Sequence, residues 1–245
     1  MMFLVNRKRL VACLAAVLLP VGFTAADTGF YTDFSRQFPF VVPHTFNTPE
    51  QAMQRENGVL KVTVLPGMHG AQFDARGGKE RAEVAQNLEG AAYVRQSFRV
   101  RVTPDFQATG RTMVAQIKAS ETKPILGSPP VAVYLDKGGR AKCNDYSSGR
   151  PDHSTAKTAR LGVRLDDGQW HDVVMEYVLS EKQGFCRVTV DGHEVLRRED
   201  INTNQQGKYI FARIGLYRDA QPYGQTVEFD DWSVVHRKDV PVALR

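Results

Sequence analysis

Three short segments of the chain place groups that bind or move charge within a few residues of one another. Arg81 and Glu83 lie in Gly78-Lys79-Glu80-Arg81-Ala82-Glu83-Val84, with the Arg-x-Glu read as preceding a strand. Gln116 and Lys118 lie in Val114-Ala115-Gln116-Ile117-Lys118-Ala119, and Arg213, Tyr217 and Arg218 in Ala212-Arg213-Ile214-Gly215-Leu216-Tyr217-Arg218. Alternate residues of a β-strand share a face. Val114, Gln116 and Lys118 are therefore expected on one side, with Ala115 and Ile117 on the other; Arg213, Gly215 and Tyr217 likewise share a side. Guanidinium, amide and ammonium donors gathered on one surface can neutralise a carboxylate and stabilise negative charge that develops beside it. A tyrosine among cations can serve as acid or base, because nearby positive charge lowers its pKa from about 10. Two histidines add to the set: His69 in Pro66-Gly67-Met68-His69-Gly70, and after it His153 in Arg150-Pro151-Asp152-His153.

The elements that would position these groups are strands. Period-two runs recur at Val59 to Leu65, Tyr93 to Val102, Thr112 to Lys118, Val131 to Leu135, Trp170 to Val178, Gly184 to Val190, Ala212 to Arg218 and Thr226 to Val235. The run ending at Val190 turns at Asp191-Gly192 into His193 to Leu196, a hairpin signal. Thr48 to Glu56 is read as a brief helix, and Trp170 and Trp232 are placed in the core. Many short strands with turns between them predict an all-β fold, a two-sheet antiparallel sandwich with one sheet face forming a concave groove.

The first residues read as a leader rather than as fold. Arg7, Lys8 and Arg9 precede an apolar run from Leu10 to Phe23, and Thr24, Ala25 and Ala26 are small. That order predicts a secretory signal peptide over residues 1–26, since a membrane span needs about 20 apolar residues in a row. A single domain over residues 27–245 is expected, secreted or periplasmic, with no membrane association after cleavage. Only Leu10, Val11 and Ala12 separate the basic residues from Cys13, which argues against a lipid-attachment box there. The net charge of the whole chain is +5, and loss of Arg7, Lys8 and Arg9 with the leader reduces it. With no dense Lys/Arg stretch, nucleic acid is not an expected partner. A monomer is expected.

Removal of the leader leaves Cys143 and Cys186, and an even count in an oxidising compartment predicts one disulfide. The other reading is two separate buried thiols. There is no Cys/His cluster of zinc spacing, no glycine-rich phosphate loop and no Gly-x-Ser-x-Gly elbow.

Taken in order along the chain, the three charged segments, with Gly168-Gln169-Trp170-His171-Asp172 and Val188-Thr189-Val190-Asp191-Gly192 between them, resemble the jelly-roll polysaccharide lyases. That group includes alginate lyases, glucuronan lyases and heparin lyase I-like enzymes. The resemblance spans about Phe34 to Val235. The Gln-Ile-His of the alginate lyases reads Gln116-Ile117-Lys118 here, and the closing Gly215-Leu216-Tyr217-Arg218 looks more like the glucuronan and heparin lyase branch. The resemblance implies β-elimination on a uronate-containing acidic polysaccharide, glucuronan ahead of alginate. It implies Tyr217 as base and acid, Gln116 as carboxylate neutraliser and Arg81 gripping the carboxylate with Glu83 orienting it. Since Lys118 departs from the histidine, His69 is the candidate replacement base. Lys118, Glu83, Arg213, Arg218, Lys142 and Tyr146 are expected to bind substrate, the last two from a segment edging the groove. Related jelly rolls also carry a structural Ca²⁺, for which Asp33, Asp230 and Asp231 are the oxygen ligands to test; the other reading of Asp230 and Asp231 is protection of an edge strand. No organic cofactor is implied.

Two other classes compete. A non-catalytic carbohydrate-binding or lectin-like sandwich would use exposed aromatics more than Arg, Gln, Lys and Tyr together. A concanavalin-like glycoside hydrolase needs two suitably spaced carboxylates, and no Glu-x-Asp-x-x-Glu is present.

Overall fold

The computed structural model describes residues 28–35, 50–104, 106–120, 128–147, 157–204, 209–241 and 244. Its strands are β1 (Thr28–Thr32), β2 (Met53–Glu56), β3 (Val59–Val64), β4 (Lys79–Asn87), β5 (Tyr93–Val102), β6 (Thr112–Ser120), β7 (Val131–Tyr134) and β8 (Arg140–Cys143). They continue with β9 (Lys157–Arg160), β10 (Trp170–Val178), β11 (Gly184–Val190), β12 (His193–Ile201), β13 (Tyr209–Asp219) and β14 (Gln225–Arg237). One short helix, α1 (Gln72–Arg76), precedes β4. The strands form two antiparallel sheets. The eight-stranded sheet runs β12-β11-β10-β5-β14-β3-β2, with β1 also on β14, where Thr28 faces His236. The six-stranded sheet runs β4-β13-β6-β7-β8-β9. This is the expected sandwich.

The core lies between the sheets. Leu60, Val62, Phe98, Val100, Phe229 and Trp232 of the larger sheet meet Val84, Ile117, Val131, Val133, Ile214 and Leu216 of the smaller. Phe98 and Phe229 meet edge to face with centroids 5.9 Å apart. Buried Gln96 of β5 crosses the core, its Nε2 donating to the Arg213 carbonyl of β13 at 3.0 Å. Cys143 of β8 and Cys186 of β11 form the expected disulfide, joining one sheet to the other with a Cα–Cα distance of 6.4 Å.

The turns follow their residues. Asp191 and Gly192 both take positive φ (49° and 78°) and close the β11–β12 hairpin. Asn57 and Gly58 do the same (52° and 77°) between β2 and β3. That second turn corrects the helix expected at Thr48 to Glu56. Among the described residues of that span only Glu50–Ala52 is helical, as a 3-10 turn, because Asn-Gly favours a two-residue hairpin and makes Met53–Glu56 a strand. Arg81 and Glu83 likewise lie within β4 rather than before a strand.

Two side chains depart from the side expected of them. Trp232 is fully buried, but Trp170 is half-buried on the outer face of the larger sheet, with Arg101 and Arg99 at 4.7 and 5.2 Å from its ring centre. The register between β6 and β7 shifts between Met113 and Ala115. A bulge there breaks strict alternation, so Val114 joins Ala115 and Ile117 in the core rather than sharing the side of Gln116.

Candidate active site

The outer face of the six-stranded sheet carries the charged groups. Backbone pairing lays them in rows: Tyr217 of β13 is opposite Arg81 of β4, and Arg213 is opposite Gln116 of β6. Gln116 is next opposite Ala132 of β7, and Ala132 opposite Lys142 of β8. Arg81, Glu83, Gln116 and Arg213 are each at most 5% exposed although they point away from the core. An outward face that buries such side chains is a recess.

Glu83 is the hub. Its Oε1 accepts a hydrogen bond from Gln116 Nε2 at 2.6 Å, and its Oε2 lies 3.5 Å from Arg81 and 3.6 Å from Arg213. Gln116 Nε2 has a second N–H to offer. Arg81 also donates from one terminal nitrogen to Asp74 Oδ1 of α1 at 2.7 Å. The loop ahead of the helix is tied to β4, since the Arg81 amide donates to the Met68 carbonyl at 2.8 Å and the Gly67 amide donates to Glu80 Oε1 at 2.6 Å. The guanidinium carbon of Arg81 stands 3.9 Å from the Tyr217 ring centre and that of Arg111 stands 5.3 Å from it. Tyr217 packs on an apolar patch of Met113, Ala132 and Tyr134. Arg81, Arg111, Lys118 and Arg213 thus face the carboxylates of Asp74 and Glu83, with Asp219 3.7 Å from Arg111. The surplus is positive, which suits an anionic ligand.

Protonation follows from burial and these charges. Burial drives the Tyr217 phenol above its ordinary pKa, against the opposing pull of Arg81. The expectation that nearby cations lower it is therefore outweighed by desolvation. Burial, then Arg213 and Arg81, bring the Lys118 ammonium down to about 8. Burial, then Arg140 and Arg111, bring Lys142 to about 8 as well.

His69 lies in the loop before α1, with Nδ1 2.6 Å from the Lys79 carbonyl. A carbonyl only accepts, so Nδ1 carries the proton in this contact. His153 lies outside the described residues, as do residues 1–26.

Three expected groupings do not form. Arg218 lies on the other face from Tyr217, fully buried, its Nε donating to Glu80 Oε2 at 2.8 Å inside the end of the sandwich. A strand turns successive side chains to opposite faces, and Arg218 is next to Tyr217. Tyr146 is buried with its hydroxyl donating to the Ser128 carbonyl, where it braces a loop. Lys142 is buried beside it, 3.3 Å from Ser128 Oγ. The third grouping is the calcium set. Arg99 occupies the middle of the carboxylates, 3.5 Å from Asp230 and 3.8 Å from Asp231, and Tyr31 donates to Asp231 at 2.7 Å. Asp33 Oδ1 accepts from the Ser35 amide and hydroxyl. Arg99 thus already pairs with two of the three carboxylates, and no group of three His, Cys, Asp or Glu among the described residues could hold a metal. The donor set does not fit calcium.

Asp74, Arg111, Tyr134 and Arg140 belong to the recess but were not singled out in the sequence. Arg140 lies over the Tyr134 ring at 4.0 Å and pairs with Asp136. Alternation from Ala132 to Tyr134, and from Lys142 to Arg140, was the available signal for the second pair. Asp74 had none.

A family model described as polysaccharide lyase matches residues 27–233. The chain belongs to the polysaccharide lyase family. The lyase has no match among curated proteins. By fold it is similar to the endo-β-1,4-glucuronan lyase of the fungus Trichoderma reesei, with 17% identity, TM-score 0.56 and coverage of 84% of this chain and 94% of that one. An alginate lyase from Pseudomonas aeruginosa is similar at 19% identity and TM-score 0.55, covering 77% and 87%. An endo-1,3-β-glucanase from Streptomyces sioyaensis matches at 12% identity and TM-score 0.52, covering 89% and 99%. The sandwich of the lyase is thus shared with enzymes whose names differ in chemistry, and its function has to be argued from its own recess.

Proposed function

We propose that this lyase cleaves a uronate-containing polysaccharide by β-elimination, with glucuronan ahead of alginate as substrate. The supporting observation is the gathering of Arg81, Gln116 and Arg213 around Glu83, with the Tyr217 ring packed against Arg81 on the same face. Proton loss beside a carboxylate is difficult while the carboxylate keeps its charge. In this reading Arg81 and the remaining N–H of Gln116 neutralise that charge and hold the enolate that follows. Tyr217 retains its proton at neutral pH, so it is the group to protonate the leaving glycosidic oxygen. Lys118 in place of histidine, the closing Gly215-Leu216-Tyr217-Arg218 and the likeness to a glucuronan lyase favour glucuronan. The leader-like residues 1–26 support action outside the cytoplasm. No helix among the described residues is long and apolar enough to cross a membrane.

The test incubates purified protein with polyglucuronate, alginate and heparin and follows the ultraviolet absorbance of the unsaturated uronate product. Growth of the band on polyglucuronate, and its loss in Tyr217→Phe with the fold intact, is the expected result. Tight polymer binding with no unsaturated product would replace this reading by a carbohydrate-binding domain.

A further inference from the structure

Among the described residues, the large hydrophobic side chains that are more than half exposed are Tyr31, Leu65 and Phe73. A single exposed apolar side chain needs no explanation by itself, but the position of Phe73 sets it apart. It lies in α1 beside Asp74, whose side chain is buried against Arg81. Successive residues of a helix do not share a side, so α1 turns Asp74 into the sheet and leaves Phe73 59% exposed. The Phe73 ring centre is 5.6 Å from the Arg81 guanidinium carbon, and the Tyr217 ring centre is 3.9 Å from the same carbon. That guanidinium is thus within cation–π reach of two rings, one on the floor of the recess and one at its lip. The ion pair of Asp74 with Arg81 fixes the helix, and with it the place of the outer ring. With β4 at the edge of the six-stranded sheet, Phe73 stands at one end of a row that crosses it. Pairing lays that row from Arg81 through Tyr217, Met113 and Tyr134 to Arg140.

We propose that Phe73 is a sugar-stacking platform at the mouth of the recess, taking the C–H face of the sugar next to the uronate that Arg81 holds. This rests on the reading of the recess given above and adds a subsite to it. A pyranose with hydroxyls around its rim leaves weakly positive C–H groups on its faces, and an aromatic ring offers them a flat, apolar face of negative potential. Phe73 has no polar tip, so it supplies contact alone, and the register of the polymer comes from Arg81 and Gln116. Depth assigns the two contacts to different sugars. The Arg81 side chain is 6% exposed, so a carboxylate on it lies inside the recess, whereas a sugar stacked on Phe73 lies outside. Both contacts form at once only when the sugars are joined, which favours a polymer over a free uronate.

The experiment has two arms. The first measures kcat and KM of the wild type, Phe73→Ala, Phe73→Leu and Phe73→Trp on the polymer that the wild type cleaves. The second measures binding of polyglucuronate, alginate and heparin by Tyr217→Phe, with and without Phe73→Ala, at low and high salt. Phe73→Ala should raise KM about 3- to 10-fold, the worth of one aromatic contact, and leave kcat in place, as loss of a contact made equally in ground and transition states requires. Phe73→Leu should fall between, and Phe73→Trp should match the wild type or exceed its affinity. The loss of binding should be equal at both salt concentrations, because the ring carries no charge. An unchanged KM in Phe73→Ala would overturn the proposal. A fall in kcat, or a binding loss that vanishes at high salt, would overturn it too, by making the ring a prop for Arg81. Absence of unsaturated product from the wild type on every polymer would overturn elimination alone, since the binding arm still decides Phe73.

Discussion

Asp74 and Arg81 form an ion pair at 2.7 Å whose side chains are 0% and 6% exposed, joining a five-residue helix to the strand that carries the proposed carboxylate grip. Burial raises the pKa of Asp74 and the charge of Arg81 opposes that rise, so the pair holds its ionised form only while both members are present. Asp74→Asn keeps the shape and one acceptor but removes the charge. Arg81 should then lose its fixed aim over the Tyr217 ring, and kcat/KM should fall by about 10²-fold, the cost of a small misplacement of a reacting group. Steady-state kinetics, with circular dichroism to confirm the fold, checks this; unchanged kinetics would make the pair purely structural.

Gly215 takes φ 140°, and a Cβ built there meets the Ala82 carbonyl oxygen and lies 2.7 Å from Glu83 Cα. Gly215→Ala should push β13 from β4 at the point where Glu83 is held. The expected cost is about 1–3 kcal/mol from backbone strain alone, together with loss of activity. Urea unfolding and turnover of the same preparation measure both effects.

The Cys143–Cys186 bridge spans 43 residues. Loop-closure entropy values such a link at about 4 kcal/mol. The Cys143→Ser, Cys186→Ser double variant should therefore melt well below the wild type in calorimetry. An equal melting temperature would mean that sheet packing alone holds β8 against β11.

His171 of β10 is clasped between Asp191 at 2.8 Å on Nδ1 and Asp167 at 3.1 Å on Nε2. Burial lowers its pKa, but the hydrogen bonds to Asp191 and Asp167 more than offset this, and the folded value is raised. A raised folded pKa stabilises the fold fully below the unfolded value of about 6.5, and that contribution is lost as pH rises through the folded value. The stability gap between wild type and His171→Gln should thus be widest in mild acid and close in alkali. Denaturant titrations across that range test the sign.

Arg99 supplies the positive charge among Asp172, Asp230 and Asp231, at 3.8, 3.5 and 3.8 Å. Treatment with a chelator should leave the melting temperature unchanged, and added calcium should not raise it. A rise of several degrees with calcium would restore a metal to this face.

Strand content and face alternation were legible because burial of one face of each sheet forces a period of two. That rule put Gln116 with Lys118, and Arg213 with Tyr217, on one surface before any coordinates. It failed at Val114, where a bulge shifts the register, and at Arg218, where neighbouring positions were grouped together although a strand separates them. The turn chemistry of Asn57-Gly58 was available and would have made Met53–Glu56 a strand. Asp74 was not legible at all, because its place beside Arg81 depends on how the loop from Pro66 folds back onto β4. The protonation of Tyr217 also had to come from structure, since desolvation depends on the depth of the recess and not on neighbours in the chain.

Thr28 pairs with His236 in the sheet that does not carry the recess. Both ends of the described fold are therefore handled from the back of the molecule. A tag, linker or solid support joined at either end should leave the front open to a long polymer, which makes this scaffold suited to immobilisation without loss of access.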